Sequence, residues 1–100
     1  MKYIVNAIWK HELSIDEERQ RAYMRAITET LNSEEYVLET IWYRIDEHTH
    51  GSVAVYKSEE AYNAFLEINE MQRNFAAEDH KVSMLEQYKG PAFAVQTDLD

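Results

Sequence analysis

The chain has 100 residues, enough for one hydrophobic core and hence one domain over residues 1–100. Hydrophobic residues make up 45% and charged residues 29%, a globular balance; the absence of cysteine excludes disulfides, thiolate nucleophiles and cysteine-bound metals. Ten Lys and Arg against 19 Asp and Glu give a formal charge of −9, which repels phosphate backbones and argues against a nucleic-acid partner.

Tyr3 to Trp9 is short and dense in β-branched and aromatic residues, and predicts a first strand. Met1 leads directly into it without a signal-like segment, and no apolar run approaches the roughly 20 residues of a membrane span. A cytoplasmic location without a membrane partner is therefore expected. Ser14-Ile15-Asp16-Glu17 reads as a capping box opening a helix. The helix stripe runs through Ala22, Tyr23, Ala26, Ile27, Thr30 and Leu31 and ends at Asn32-Ser33. Tyr36 to Ile45 predicts a second strand, Asp46 to Gly51 a polar turn, and Ser52 to Tyr56 a third strand. Ser58 caps a second helix whose stripe is Ala61, Tyr62, Phe65, Leu66 and Ile68. Periodicity weakens at Asn69 to Gln72, resumes at Phe75 and Ala76, and returns at Val82, Leu85 and Tyr88. That pattern predicts a break and a shorter helix stopped by Gly90-Pro91, followed by a fourth strand from Ala92 to Gln96 and a frayed tail, Asp98-Leu99-Asp100.

The order β-α-β-β-α-β specifies an α+β class protein: a ferredoxin-like sandwich with an antiparallel four-stranded sheet and both helices on one face. Both sides of the strands are apolar. In the first strand Ile4 and Ile8 oppose Tyr3, Val5, Ala7 and Trp9; in the second, Leu38 and Trp42 oppose Val37, Ile41 and Tyr43. Two helices cover one face only, so the other is expected to be buried against a second copy in a sheet-to-sheet homodimer. Trp9, Trp42 and Tyr43 suit the anchors of such an interface, and Trp42→Glu is the substitution expected to split it.

The element order, the length, and the opening Met1-Lys2-Tyr3-Ile4-Val5-Asn6 followed by a capped helix resemble the dimeric α+β barrel superfamily. That group includes cofactor-free monooxygenases of antibiotic biosynthesis, haem-degrading monooxygenases, lactone isomerases and stress-responsive barrel proteins. Asn6 matches in place an asparagine that the haem-degrading and related monooxygenases carry near the end of this strand. The resemblance implies that it orients a substrate or an O₂-derived group. The haem-degrading members also carry a tryptophan and a histidine on the second helix. The second helix here has no tryptophan, and His80 lies far along it, a departure that argues against haem degradation.

Asn6 is the polar residue inside an apolar strand, so its amide needs a partner, whether a substrate or a neighbouring backbone group. His11, at the end of the first strand, is suited to acid–base work near neutral pH, or is a surface histidine ahead of a helix. His48 and His50 share a polar segment with Asp46 and Glu47; a metal site there would need His11 or His80 as a further ligand, whereas a solvated turn would not. Tyr23, Tyr56, Tyr62 and Phe65 are placed to line a pocket between helices and sheet, or to form its core. With Gly51 and Gly90 as the only glycines, no glycine-rich phosphate loop or nucleophile elbow exists. Two functions follow. One is an enzyme without bound cofactor or metal that oxygenates or isomerises a small hydrophobic or aromatic compound. In it Asn6 and a tyrosine orient the substrate, His11 or His80 moves a proton, and Tyr23, Tyr56, Tyr62 and Phe65 bind. The other is a non-catalytic dimer that binds a ligand or another protein.

Overall fold

A computed structural model describes residues 1–79 and 81–99, with residues 71–79 described by their backbone alone. The elements run β1 (Tyr3–His11), α1 (Glu17–Thr30), β2 (Val37–Asp46), β3 (Thr49–Tyr56), α2 (Glu59–Asp79) and β4 (Val82–Pro91), with 3₁₀ turns at Ser33–Glu35 and Gln96–Asp98. The four strands form one sheet in the order β2-β3-β1-β4, every neighbouring pair antiparallel. This is the expected ferredoxin-like α+β sandwich. Among the described residues no helix is long and apolar enough to cross a membrane.

Strand alternation decides which side the helices take. Tyr3 and Val5 of β1 and Tyr56 of β3 are buried with Tyr62 and Phe65 of α2, and these five form the core. Tyr62 stacks on Tyr3 with ring centroids 5.3 Å apart and meets Tyr56 edge-on at 5.1 Å. The helix-facing side of the sheet thus carries Tyr3, Val5, Ala7 and Trp9 from β1. Register adds Ser52, Ala54 and Tyr56 from β3, with Thr40 and Trp42 from β2 opposite them. The outer side carries Ile4, Asn6 and Ile8 with Val53, Val55, Ile41 and Tyr43, and Ile41 and Tyr43 are exposed. An apolar outer face is therefore present, but Trp9 and Trp42 do not belong to it. Both point toward the helices, and of the three expected anchors only Tyr43 lies outside.

Four local expectations are corrected. The N-cap of α1 is Asp16, whose carboxylate accepts the Arg19 N–H at 3.1 Å; Ser14 instead donates to the Glu47 carboxylate, and Glu17 pairs with Arg44 at 2.9 Å. The sheet-facing ridge of α1 includes Tyr23, Met24, Ile27 and Thr28, while Ala22, Ala26 and Thr30 are exposed. Helix α2 runs without a break from Glu59 to Asp79, starting where Ser58 Oγ accepts the Ala61 N–H at 3.0 Å. The fourth strand is Val82–Pro91, and not residues 92–96. The pairing of β1 with β4 slips between Ile8–Glu86 and Trp9–Met84, leaving Leu85 as the extra residue of a bulge. That extra residue turns a two-residue alternation into the three-residue spacing of Val82, Leu85 and Tyr88, which imitates a helix.

Candidate functional site

α1 crosses the sheet without burying any of its residues completely. The space it leaves is a cleft. A cavity of about 450 Å³ opens on its α2 side and one of about 490 Å³ on its β2 side; Gln20, Met24, Thr28, Trp42 and His50 line both. Gln20, Met24 and Thr28 are spaced four residues apart, so they form the helix ridge that faces the sheet. The floor is Val5, Ala7, Trp9, Ser52 and Ala54, and the far wall includes Tyr56 and Phe65. The Trp9 indole N–H donates to Ser52 Oγ at 3.2 Å, which fixes the ring against the floor.

His50 is the titratable group that lines both halves. The β2–β3 hairpin pairs Asp46 with Thr49, so its loop is only Glu47-His48 and His50 stands within β3 opposite Trp9. Its ring stacks on Trp9 at 6.3 Å between centroids. His50 Nδ1 lies 2.6 Å from His11 Nε2, a hydrogen bond in which one ring donates and the other accepts. His11 is only 4% exposed and sits behind His50, away from the cleft lining. Its backbone N–H donates to the His48 carbonyl at 2.7 Å, which ties β1 to the hairpin. Burial, reinforced by neighbouring His11, pushes the His50 imidazole down to about 4 from the ordinary 6.5. Burial and then nearby His48 also lower His11. The pair is therefore neutral at neutral pH, and Nε2 is the nitrogen of His50 not engaged by His11.

The sequence-predicted residues are divided by this geometry. Tyr23, Tyr56 and Phe65 line the cleft as expected. Tyr62 does not: it is buried in the core, where its hydroxyl oxygen faces Lys89 Nζ at 3.4 Å. Asn6 lies on the outer side of the sheet and donates from Nδ2 to the Ser52 carbonyl at 2.9 Å, the backbone partner weighed for it above. It holds the strand that carries Ser52 and does not reach into the cleft. His80 lies outside the described residues. His11 meets His50, with His48 close by, but among the described residues no three His, Asp or Glu side chains are gathered as a metal site. Sequence reasoning missed His50, Trp9, Trp42, Gln20 and Met24 as cleft residues. His50 was concealed by the polar composition of residues 46–51, which suggests a long turn where the hairpin loop has two residues.

Compared by sequence, the chain matches no protein-family model and no curated protein. Its fold is shared with several solved structures. SnoaB, a cofactor-independent oxygenase from Streptomyces nogalater, superimposes with a TM-score of 0.67 at 10% identity, covering 94% of this chain and 95% of that one. A structural-genomics protein, YjcS, gives 0.66 at 14% identity, covering 92% and 99%. A dimeric ferredoxin-like protein from an uncultured marine organism gives 0.63 at 14% identity, covering 95% and 97%. At these identities the likeness establishes the fold alone, a ferredoxin-like α+β sandwich, and leaves the activity to be argued from the site.

Proposed function

We propose that the cleft under α1 binds a flat hydrophobic or aromatic molecule, and that the protein acts on it as a cofactor-free monooxygenase or isomerase. The observation that carries this reading is a neutral imidazole, His50, set into a cleft walled by Trp9, Trp42, Tyr23 and Met24. The cleft is mainly apolar, with Gln20, Thr28 and Ser52 among its polar groups, and a basic ring nitrogen in it selects a ligand with an acidic proton. His50 accepts that proton at Nε2, His11 fixes the ring that accepts it, and the resulting carbanion or enolate is the reactive species. Reprotonation at another carbon is an isomerisation. Transfer of its electrons to O₂ converts a CH₂ to a C=O and releases one oxygen atom as water. A lowered imidazole pKa restricts His50 to carbon or oxygen acids whose anion is already delocalised, which an aromatic substrate provides. SnoaB, a cofactor-independent oxygenase with the same fold, supports this reading. Asn6 then serves the floor through Ser52, and Tyr23, Tyr56 and Phe65 serve the walls.

The bare outer face supports an accompanying proposal, that two copies pair through their sheets. Ile41, Tyr43 and Tyr88 are all exposed there, and a neighbour of the same fold is a dimer. The chain is accordingly proposed to act as one domain and to assemble with itself.

The test uses 2-tetralone, a small aromatic ketone with exchangeable α-protons, in deuterated buffer. Binding is followed by the indole N–H resonances of Trp9 and Trp42, and catalysis by α-deuteration and by oxygen uptake. Accelerated deuteration that is lost in His50→Gln supports the enzyme. Shifted indole resonances with no acceleration support a binding protein instead. No change in either measurement removes the cleft as a ligand site.

A further inference from the structure

The two mouths of the cleft carry opposite charge. Glu34 lines the half beside α2, whereas Arg21, Arg25 and Arg44, with Glu17 and Glu29, line the half beside β2. This is an uneven use of a small supply, because the chain has only ten Lys and Arg in all. Helical spacing explains the separation. With Gln20-Met24-Thr28 facing the sheet, Tyr23 and Ile27 fall on the α2 flank of that ridge and Arg21 and Arg25 on the β2 flank.

The three arginines are not equivalent. Arg44 is engaged, with Nε on the Glu17 carboxylate at 2.9 Å and an NH2 nitrogen on the Ile15 carbonyl at 3.1 Å. Arg21 and Arg25 make no ion pair among the described residues, although Glu17 and Glu29 line the same mouth. Two guanidinium groups therefore stand at the opening of an apolar cleft on a protein whose net charge is −9. Exposed arginines on an acidic surface ordinarily find carboxylates. A pair left without them beside Trp42 and His50 is a ready site for the anionic end of a ligand whose body lies beneath α1.

We infer that the ligand is a hydrophobic anion, an aromatic carboxylate, whose ring lies between α1 and the sheet and whose carboxylate is held by Arg21 and Arg25. The inference rests on the cleft reading above and narrows its ligand class. Glu34 at the other mouth repels the same group, so the carboxylate favours the end that carries Arg21 and Arg25. The ring is thereby oriented relative to His50, which lines both halves.

The experiment titrates the protein with 2-naphthoate and with its neutral counterpart 2-naphthalenemethanol, following the Trp9 and Trp42 indole resonances. At low salt the carboxylate is expected to bind about tenfold more tightly than the alcohol, the effect of one or two charge-assisted hydrogen bonds. Arg21→Gln with Arg25→Gln should abolish that preference and leave alcohol binding intact. Because both arginine side chains are exposed, the double variant is expected to fold, which circular dichroism verifies. Added salt should reduce the preference in the same direction. Equal affinity for the two compounds, or a preference that survives in the double variant, overturns the inference while leaving the cleft as a ligand site. If neither compound shifts either indole, the cleft reading fails and this inference fails with it.

Discussion

At the level of single residues, the His11–His50 pair links function to stability. The folded-state pKa of His50 lies at about 4, below its ordinary 6.5, so between those values the unfolded chain binds the proton and the folded one does not. Stability from this group is fully present above pH 6.5 and is lost as pH falls toward 4. His11, lowered by burial and by His48, acts in the same sense. The contribution is on the order of 2 kcal/mol, once partial exposure of the ring is discounted. Urea denaturation at neutral pH and at pH 5 should show wild type losing more stability than His50→Gln. Acidification also relieves repulsion in a chain of charge −9, so the difference between the two proteins, rather than either alone, carries the result. A second residue-scale effect sits on the outer face, where the Tyr43 ring covers Gly51. A Cβ added at Gly51 would fall 2.2 Å from the Tyr43 ring, so the tyrosine must swing away. Gly51→Ala should cost about 0.5–1 kcal/mol in wild type and little or nothing in a Tyr43→Ala background. A thermodynamic cycle in urea measures the coupling directly.

Among the elements, the two helices are held very differently. α2 is anchored by Tyr62 and Phe65, both buried against Tyr3 and Tyr56, whereas α1 has no buried residue and stands over a cleft. Phe65→Ala should therefore cost about 3–5 kcal/mol, measured by urea denaturation. Amides of α1 should exchange with solvent through local opening, well before those of β1 and β3, and ligand binding should slow them. How far these elements could be read in advance follows from the same packing. β1, β3 and the start of α2 were legible because burial on one side imposes a regular period. The stripe of α1 was misassigned by part of a turn: its alanines looked like a core face, but the helix rests on Tyr23, Met24 and Ile27 at its cleft, where Gln20 and Thr28 also find a place. β4 was illegible because it is an edge strand whose bulge at Leu85 breaks the alternation. The cleft itself was half legible. Tyr23, Tyr56 and Phe65 follow from their stripes, but a two-residue hairpin that brings His50 to His11 is a contact across 39 residues, and local pattern does not reveal it.

The whole molecule is set by which face of the sheet is covered. Helices shield Tyr3, Val5 and Ala7, while Ile41 and Tyr43 stay in contact with solvent on the other side, with Tyr88 of β4 62% exposed. Pairing two such faces removes apolar area from water on both copies at once, and it requires only a two-fold axis that lies between the two sheets and runs parallel to them. The chain beyond β4 adds to the surface awaiting cover: Ala92 N–H is tied to the Lys2 carbonyl at 2.8 Å, but Phe93 is fully exposed. Trp42 lies on the covered side, so its replacement tests the cleft and not the interface. Ile41→Lys should convert a species of twice the 11.9 kDa chain mass into one of that mass, as read by native mass spectrometry, without loss of the helical circular dichroism signal. Trp42→Phe should leave the dimer intact and weaken ligand binding. Phe93→Ser should loosen the dimer by a smaller amount, because one side chain per copy is lost at the edge of the contact. A dimer that persists in Ile41→Lys would place the contact elsewhere. A protein monomeric at all concentrations would leave the outer face without a partner from its own kind, and the chemistry of that face would then point to a different protein.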